Sequence, residues 1–546
     1  MRLALILIFA CLCSGADLFS QNAAKNTYWV KLKDKNGTSY QINHPEAFLS
    51  QRAISRRARQ HIPIDETDLP VSHIYLDSLK KRGLEVVHTS KWLNGATVKT
   101  SDTALIRKIA ALPFVASVQL TKPAITKKSI HLKFSVEELY SAIDPANYGN
   151  AIFQLTQLNG QYLHNNGFRG KGIQIAILDA GFWHVNEISA FDSLRTTNRI
   201  LGTRDFVEPG SDIYQQHYHG MSVLSTMGSN LPGSLVGTAP DASYYLFRTE
   251  DDPTEYLIEE DNWVAGAELA DSLGVDVINS SLGYTTFDDV AMNHSYSDMN
   301  GKKTRITQGA NMAFQKGILV VTSAGNEGNG AWKQIIAPAD GENVIAVAAV
   351  DLLGIRASFS SVGPAYGGAI KPNVAAMGSR TYLITSSGLR GYSSGTSFSS
   401  PVLAGMGACL MQANPYSNVK QIKMAIEQSA SIYNKPDSLL GYGIPDFEKA
   451  DKYLKIVTTL PLIREVNWVV SPNPLTDQIL IKNLNSSFDD NCLITIFNLQ
   501  GVNLWQANFK VSETISLKNL GHLPSGLLIM TIRSGGKEEC IKLLKY

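Results

Sequence analysis

Cysteine is scarce in this chain, with five residues in 546. So few cysteines exclude a small disulfide-stapled scaffold, in which cysteine is much denser. Cys409 lies in an apolar stretch, where a free cysteine is usually a small core residue. Cys492 and Cys540 could form one disulfide near the carboxyl end, and their spacing alone does not decide whether they do.

An excess of charge of either sign is also absent, because 49 Lys and Arg residues face 48 Asp and Glu residues, for a net charge of +1. A nearly neutral chain is not expected to bind nucleic acid through bulk electrostatics. Zinc-ligand spacing, a Walker loop and a convincing dinucleotide fingerprint are missing as well. What remains is an ordinary globular composition, 44% hydrophobic and 18% charged, and a length that predicts several domains.

Apolar runs long enough to span a bilayer are absent, and the amino terminus carries a shorter one. Residues 1–16 combine an early positive charge at Arg2, an almost wholly apolar run from Leu3 to Leu12, and small residues at the end, as a secretory signal peptide does. The run is too short to span a bilayer. Cys11 leaves a lipoprotein signal open, although Phe9 fits that signal poorly. We expect export through a cleaved signal and no transmembrane segment after its removal.

Three motifs, far apart in the chain, carry side chains that could act together in nucleophilic catalysis. The apolar run Ile173–Leu178 is typical of a strand buried on both faces, and it ends at Asp179, where open α/β sheets place their sites. His219 precedes a glycine and a small-residue helical stretch. Ser397 follows a glycine-led turn at the predicted start of an apolar helix. These residues supply an orienting acid, a general base and a nucleophile.

The position of Ser397 suits a serine nucleophile. Backbone amides in the first turn of a helix have no intrahelical partner, and the helix dipole is positive there. Pro401 is tolerated early in the helix for the same reason. Both features favour the negative charge that forms when a serine attacks a carbonyl. An isolated serine at a helix start is usually only an N-cap, so the argument depends on the other two motifs.

In their order and form, these motifs resemble those of the subtilisin-like serine proteases, or subtilases. The family pattern is an acid motif (Asp179-Ala180-Gly181), then His-Gly (His219-Gly220), then Gly-Thr-Ser (Gly395-Thr396-Ser397) followed shortly by proline. Phe398 and Met221 stand where the family usually has methionine and threonine, and both lie outside the triad. The resemblance implies that Asp179, His219 and Ser397 are the catalytic triad.

The resemblance also implies an oxyanion hole and substrate-binding segments. A strand-like run ends in Ala324-Gly325-Asn326, and the family binds the oxyanion with the side-chain amide of this asparagine. The backbone N–H of Ser397 would be the second donor. The backbone of Ser281-Leu282-Gly283, together with Ala324 and Gly325, would pair with an extended substrate and line the primary specificity pocket.

The implied fold is α/β, a subtilisin-like parallel sheet with helices on both faces, over residues 151–455. Residues 22–122 alternate predicted strands and helices, and they resemble the inhibitory propeptide that precedes such domains. Residues 123–150 show few periodic signals, and we interpret them as a linker that is cleaved during maturation. A propeptide of this kind would be the enzyme's own inhibitor and a folding aid.

Residues 465–546 have an all-β pattern of short strands and turns that predicts a small β-sandwich. The Pro472-Asn473-Pro474 opening, the Leu523–Gly526 turn and the basic–apolar ending resemble the C-terminal sorting domain recognised by the type IX secretion system of Bacteroidetes. Ser471 stands where that family usually has an aromatic residue. The alternative is a β module that binds substrate.

Two charged clusters have more than one interpretation. Four arginines at helical spacing between positions 52 and 59 could meet an acidic partner, but the spacing favours one solvated helix face. Seven acidic residues between positions 250 and 261 could bind calcium or basic substrate residues. They lack the spacing of an EF-hand loop, which favours a solvated acidic loop. The chemistry requires no cofactor, and although subtilases commonly bind structural calcium, no metal ligand can be assigned.

Two other functions fit part of the sequence. The segment Gly391–Gly395 matches the Gly-x-Ser-x-Gly elbow of α/β-hydrolases, with Ser393 as an esterase nucleophile. That fold needs its aspartate and histidine after the serine, whereas the only later histidine is His522, in the terminal β module. The second alternative is a catalytically silent subtilase that binds partners at the cell surface. Such proteins usually lose a triad residue, and this chain retains all three.

We therefore predict a serine endopeptidase, secreted or held at the cell surface, that hydrolyses peptide bonds of proteins through an acyl-enzyme. It would be made as an autoprocessed zymogen. Its expected partners are protein or peptide substrates, its own propeptide and the type IX secretion machinery.

Overall fold

The computed structural model describes residues 24–125, 137–139, 147–459, 468–483, 491–499, 501–534 and 537–545. The predicted signal peptide (1–16) and much of the predicted maturation linker (123–150) lie outside these ranges. The chain divides into two compact units, Met1–Leu454 and Lys455–Tyr546, and each is described by itself. Within the described ranges, every helix is too short or too polar to cross a membrane.

The first part of the larger unit is a four-stranded antiparallel sheet with three helices. Its elements are β1 (Asn26–Leu32), α1 (Gln51–Arg59), α2 (His73–Lys81), β2 (Glu85–Ser90), β3 (Gly95–Thr100), α3 (Thr103–Ala110) and β4 (Val115–Lys122). The strand order is β2-β3-β1-β4, and a short strand, β5 (Glu137–Leu139), follows in the chain. Val30, Leu79, Val98 and Ile109 are fully buried, so this part has a hydrophobic core of its own.

Two arginines of α1 are buried against the remainder of the larger unit, so the favoured interpretation of a solvated face is wrong. Arg57 Nη2 donates to Asp271 Oδ1 at 2.8 Å and to Asp68 Oδ1 at 2.9 Å. Arg56 donates to the backbone oxygen of Val275 and to the Asp271 carboxylate. Both guanidinium groups are only 1% exposed. The acidic partner of these arginines is therefore a helix of the same chain.

A seven-stranded parallel sheet forms the centre of the larger unit. Its strands are β6 (Gln174–Asp179), β7 (Ile200–Asp205), β10 (Ser243–Arg248), β11 (Val277–Ser280), β12 (Leu319–Ser323), β13 (Ile345–Val350) and β14 (Val374–Met377). The order is β14-β13-β12-β11-β6-β10-β7. Strands β11 to β14 are buried along their whole length, as expected of strands covered on both faces. The predicted parallel α/β sheet is confirmed.

Helices cover this sheet and two short hairpins extend from it. The helices are α4 (Ile152–Thr156), α5 (Gln161–Asn165), α6 (Asp192–Thr196), α7 (His219–Gly228), α8 (Ile258–Leu273), α9 (Arg305–Gln315), α10 (Thr396–Ala413), α11 (Val419–Gln428) and α12 (Phe447–Thr459). The hairpins pair β8 (Asn230–Leu231) with β9 (Leu235–Val236) and β15 (Thr381–Ile384) with β16 (Arg390–Ser393). The long apolar helix α10 packs against β11, β12 and β13 and against α7, so it lies in the middle of the core.

The smaller unit consists of two antiparallel sheets around one hydrophobic core, which confirms the predicted β-rich C-terminal domain. One sheet contains β17 (Trp468–Ser471), β18 (Ile479–Asn483) and β21 (Thr514–Leu517). The other contains β19 (Asn491–Phe497), β20 (Asn503–Lys510), β22 (Gly526–Ser534) and β23 (Lys537–Lys545), in the order β20-β19-β22-β23.

The two cysteines of the smaller unit are free thiols. Cys492 on β19 pairs with Ser534 of β22, and Cys540 on β23 pairs with Thr531 of the same strand. Strand β22 therefore lies between the two cysteines. Neighbouring strands are about 4.8 Å apart, so the cysteine backbones are separated by at least roughly twice that spacing, beyond the reach of a disulfide.

Candidate active site

Asp179 is the last residue of β6 and is fully buried. Its Oδ1 accepts a hydrogen bond from Nδ1 of His219 at 2.7 Å and another from the backbone N–H of Ala180 at 2.8 Å. The chain turns directly after it, where a Cβ at Gly181 would lie 2.4 Å from the backbone nitrogen of His217. The structure thus brings the carboxylate at the end of a buried strand together with the histidine forty residues later.

His219 is the first residue of α7 and is 1% exposed. Because Nδ1 faces a carboxylate, it carries the ring proton in that bond, and Nε2 is the nitrogen left to accept one. The next residue must be small, since a Cβ at Gly220 would lie 2.4 Å from the backbone oxygen of Gly181 and 2.9 Å from Cβ of Asp179. Gly220 therefore permits the close approach of α7 to β6 that joins the acid and the base.

Ser397 is the second residue of α10 and is 8% exposed. Its Oγ donates to the backbone oxygen of Ser281 at 3.3 Å, and Ser281 Oγ donates to the backbone oxygen of Ser397 at 2.8 Å. The ring of the adjacent Phe398 lies 5.9 Å from the imidazole ring of His219, centroid to centroid. The start of α10 is thus held beside both the base and the predicted substrate-binding segment.

The side chain of Asn326 is fixed by the residue before the serine. Its Oδ1 accepts hydrogen bonds from the backbone N–H and from Oγ1 of Thr396, both at 2.9 Å. An amide has one acceptor end and one donor end, so Nδ2 is the end that can bind a substrate oxygen. This is the geometry that an oxyanion donor needs, because a fixed donor costs no reorganisation when charge develops.

The predicted substrate-binding residues lie at the same edge of the sheet. Ser281 bonds to Ser397 as described, and Leu282 is 5% exposed. Gly283 lies against Ile336, whose Cδ1 would be 2.3 Å from a Cβ at that position. Ala324 is buried, and the backbone N–H of Gly325 donates to Oγ1 of Thr396 at 3.3 Å. Both backbone segments therefore contact the motif that carries the nucleophile.

Four of the seven acidic residues between positions 250 and 261 are at most 4% exposed, so the predicted solvated loop is wrong for them; they are Glu250, Glu259, Glu260 and Asp261. Helix α8 begins at Ile258, and its first turn takes three of these acids, where the helix dipole favours negative charge. Glu260 pairs with His294, and Asp261 accepts from Arg305 Nε at 2.6 Å. Burial raises the pKa of Asp261 to about 6 although Arg305 opposes it.

Three carboxylates near the start of α8 lie close enough to hold a metal ion, with oxygens of Glu250, Glu255 and Glu259 within 4.8 Å of one another. Glu250 accepts a hydrogen bond from the hydroxyl of Tyr284, and Glu259 accepts one from the backbone N–H of Asp251. Calcium takes six to eight oxygen ligands. Three carboxylates, two of which already accept hydrogen bonds, are too few for such a site, and we assign no calcium ligand.

Two residues near the candidate site have contacts that the sequence does not reveal. Thr396 stands inside the nucleophile motif, but its bonds to Asn326 join positions 70 residues apart, and no local pattern reveals them. Asp251 stands inside the acidic run, and in the sequence only its charge suggests a functional role. It accepts a hydrogen bond from Lys122 at 2.8 Å.

Comparison with known protein families is consistent with this arrangement. The sequence profile of the subtilase family matches residues 170–443, just over half of the chain. The chain belongs to the subtilase family. A peptidase S8 propeptide domain of Bacteroidota matches residues 27–134, and a secretion system C-terminal sorting domain matches residues 469–545. The three resemblances seen in the sequence are confirmed, and the protein is a subtilase serine protease with a propeptide domain.

Individual subtilases are similar over most of their length. Subtilisin NAT of Bacillus subtilis subsp. natto is 27% identical over 359 residues, which cover 65% of this chain and 80% of the relative. A thermostable alkaline protease of Halalkalibacterium halodurans is 29% identical over 367 residues, covering 67% and 90%.

A solved structure has the same fold. The epidermin leader peptide processing serine protease of Staphylococcus aureus, crystallised as a serine-to-alanine variant, is 18% identical and superposes with a TM-score of 0.53. The superposition covers 78% of this chain and 99% of that one. The C-terminal sorting domain of this subtilase indicates secretion or attachment to the cell surface.

Proposed function

We propose that this subtilase is an endopeptidase that hydrolyses proteins through the triad Asp179, His219 and Ser397. The observation that carries the proposal is the 2.7 Å hydrogen bond between the buried Asp179 and His219, beside the start of the helix that bears Ser397. A buried carboxylate–imidazole pair next to a serine in the first turn of a helix is the arrangement that acyl transfer requires. The retention of this pair also argues against a catalytically silent, purely binding role.

In this mechanism His219 Nε2 takes the proton from Ser397 Oγ as the oxygen attacks a peptide carbonyl. Asp179 holds the imidazole in the tautomer with the proton on Nδ1 and stabilises the imidazolium that forms. His219 then gives its proton to the leaving amine, and an acyl-enzyme remains on Ser397. A water molecule, deprotonated by the same imidazole, hydrolyses the ester and restores the serine.

Asn326 Nδ2 and the backbone N–H of Ser397 are the proposed donors to the oxyanion. The backbone N–H belongs to the first turn of α10, where amides lack an intrahelical acceptor and the dipole is positive. Loss of one such donor costs about 10²–10³-fold in kcat, a magnitude established on a relative in this family. The substrate would lie as an extended strand along Ser281–Gly283 and Ala324–Gly325.

The propeptide domain is proposed to inhibit the active site until the linker within residues 123–150 is cut. Its α1 and β2 pack against α8, and Lys122 at its end bonds to the loop after β10. Farther along the chain, β5 pairs with β16, which leads directly into the nucleophile motif. The chain of the linker region thus contacts the catalytic part on the approach to Ser397, which supports self-cleavage there.

A fluorophosphonate probe tests the nucleophile and the base together. We expect the mature protein to be labelled at Ser397, and labelling to be lost in His219→Ala. Ser393→Ala is the matched control, since this serine lies four residues before the nucleophile and is the one the esterase alternative would use; it should keep the label. Labelling at Ser393, or no labelling of a correctly processed protein, would contradict the proposal.

Mass spectrometry of the exported protein tests the processing. The expected mature form begins within residues 123–150 and lacks the N-terminal unit, whereas Ser397→Ala accumulates uncut. A Ser397→Ala protein cut at the same bond, in cells with no other active copy, would show that another protease performs the maturation. Export of a chain truncated before residue 465 would contradict the role of the C-terminal domain as a sorting signal.

A further inference from the structure

A lysine of the propeptide domain is held in an acidic loop of the catalytic part. Lys122 Nζ donates to Asp251 Oδ2 at 2.8 Å and to Thr254 Oγ1 at 3.0 Å, and it lies 5.6 Å from the centre of the Tyr256 ring. The side chains of Lys122 and Asp251 are 23% and 18% exposed, so the pair is largely shielded from water. Two oxygens and an aromatic face are a suitable environment for an ammonium group.

This loop lies at the edge of the sheet that carries the catalytic acid. Strand β10 pairs in parallel with β6, and its last residue, Arg248, stands opposite Asp179. The next residue, Thr249, donates its backbone N–H to the backbone oxygen of Asp179 at 2.9 Å. Asp251 follows two positions later. The ammonium site is therefore built on the segment that leaves the active-site edge directly beside Asp179.

The same loop adjoins the predicted substrate-binding segment and is strongly acidic. Glu250 accepts a hydrogen bond from the hydroxyl of Tyr284, which directly follows Ser281–Gly283 in the chain. Carboxylate oxygens of Glu250, Glu255 and Glu259 lie within 4.8 Å of one another. Burial raises the pKa of Asp251, but the bonds from Lys122 and Thr254 outweigh it and the pKa is lowered, so the group is charged near neutral pH.

We propose that the pocket formed by Asp251, Thr254 and Tyr256 is a substrate subsite for a lysine side chain, which Lys122 occupies in the zymogen. The proposal rests on the endopeptidase function above. Lys122 precedes the linker in which cleavage is proposed, so the substrate lysine lies on the amino-terminal side of the cleaved bond. Removal of the propeptide withdraws the Lys122 ammonium and gives a substrate access to the same carboxylate and hydroxyl.

Paired peptides measure this preference on the mature enzyme obtained from the full chain. Each pair shares one internally quenched sequence and differs only by lysine or glutamine at one position amino-terminal to the scissile bond. At one such position we expect lysine to raise kcat/KM by about 5–30-fold, the size of a charge-assisted hydrogen bond in a partly shielded site. The preference should shrink in high salt, because screening weakens a partly exposed ion pair.

Asp251→Asn should reduce the lysine-to-glutamine ratio to within about twofold of one, while the glutamine peptide is still cut. Asp252→Asn is the matched control, because it removes the same charge from the next residue, which pairs with His217 and not with Lys122. It should keep the ratio. Asp251→Lys gives an independent check, because it should reverse the preference towards glutamate at that position.

The ratio of lysine to glutamine peptide cleavage tests the subsite separately from the endopeptidase function. An enzyme that cuts lysine and glutamine peptides equally well at every position overturns the subsite and leaves the endopeptidase intact. A lysine preference that survives in Asp251→Asn also overturns the subsite, since the lysine would then be bound by other groups. A preference that disappears when calcium is added overturns it as well, since the pocket would then be occupied by a metal ion. Failure to cut any peptide would contradict the endopeptidase function and this subsite with it.

Discussion

Lys316 Nζ donates to Asp68 Oδ2 at 3.0 Å, although the two residues are 248 positions apart in the chain. Their side chains are 3% and 0% exposed. Asp68 also accepts from Arg57, which continues to Asp271 on α8, and Lys91 adds a further bond to that carboxylate at 3.0 Å. A buried, alternating series of charges thus joins the propeptide domain to the catalytic part.

This series predicts how firmly the propeptide is held. Asp271→Ala leaves Arg56, Arg57 and Lys91 buried without their shared carboxylate, and breaking such a buried pair costs about 3–5 kcal/mol. In the uncleavable Ser397→Ala chain we expect proteolysis within α1 to be about 100-fold faster or more. Glu85→Gln, which removes an exposed pair with Lys25, should change the rate by less than about threefold.

The Asp179–His219 bond predicts the effect of an isosteric substitution. Asp179→Asn cannot accept the Nδ1 proton in the same way and favours the wrong tautomer, so kcat should fall by about 10⁴-fold. The fold should remain, because the substitution conserves shape in a position that already bonds to the Ala180 amide. Steady-state kinetics of protein matured in trans, with circular dichroism as the check on folding, measure both. Activity within tenfold of the wild type would contradict the assignment of Asp179.

Thr396 is expected to act by positioning Asn326. Thr396→Val keeps the shape but removes the hydroxyl that donates to Asn326 Oδ1, which loosens the amide. We expect kcat to fall by about tenfold with KM little changed, because the lost restraint acts on transition-state binding. Thr381→Val is the control, a buried threonine whose hydroxyl bonds to Met377 away from this amide. A rise in KM at constant kcat would indicate a role in substrate binding instead.

A buried histidine predicts a loss of stability in acid. His164 Nε2 donates to the backbone oxygen of Thr238, and Nδ1 accepts from the Tyr148 hydroxyl, so the ring is neutral. Burial lowers the pKa of His164 to about 4 from an ordinary value of 6.5. The unfolded chain therefore binds a proton at a pH at which the folded chain does not. About 3 kcal/mol of stability is fully present above pH 6.5 and is lost as the pH falls towards 4.

Urea unfolding of the Ser397→Ala chain at several pH values measures this loss. His164→Gln should flatten the decline between pH 6.5 and 4, at the expense of some stability near pH 7. The exposed His44→Gln should leave the decline unchanged. Parallel curves for His164→Gln and the parent chain would show that other groups cause the acid sensitivity.

The candidate site could be located from the sequence because each of its chemical groups lies in a short local motif. A buried strand that ends in an acid, a histidine before a small-residue helix and a serine at a helix start each occupy a few adjacent residues. The parallel sheet was predictable for the same reason, since strands covered on both faces are continuously apolar. Local patterns did not indicate that Gly220 is needed for α7 to approach Asp179, because that contact joins two distant segments.

The charged clusters were interpreted wrongly because burial of charge is not a local property. Helical spacing of arginines is the same whether the face meets water or a carboxylate. The partner of Arg57 is Asp271, more than 200 residues away, and the partner of Asp261 is Arg305. Only the folded chain shows that these groups are paired and shielded.

The order of amino acids by itself indicated the enzyme family, its propeptide and sorting domains, and the proposed reacting groups, since each depends on short motifs and on the periodicity of apolar residues. Tertiary structure alone decided which charges are buried, why Cys492 and Cys540 do not pair, and where Lys122 is held. The physical reason is that the energy of a charge or a thiol depends on its neighbours in space, and long-range folding selects those neighbours.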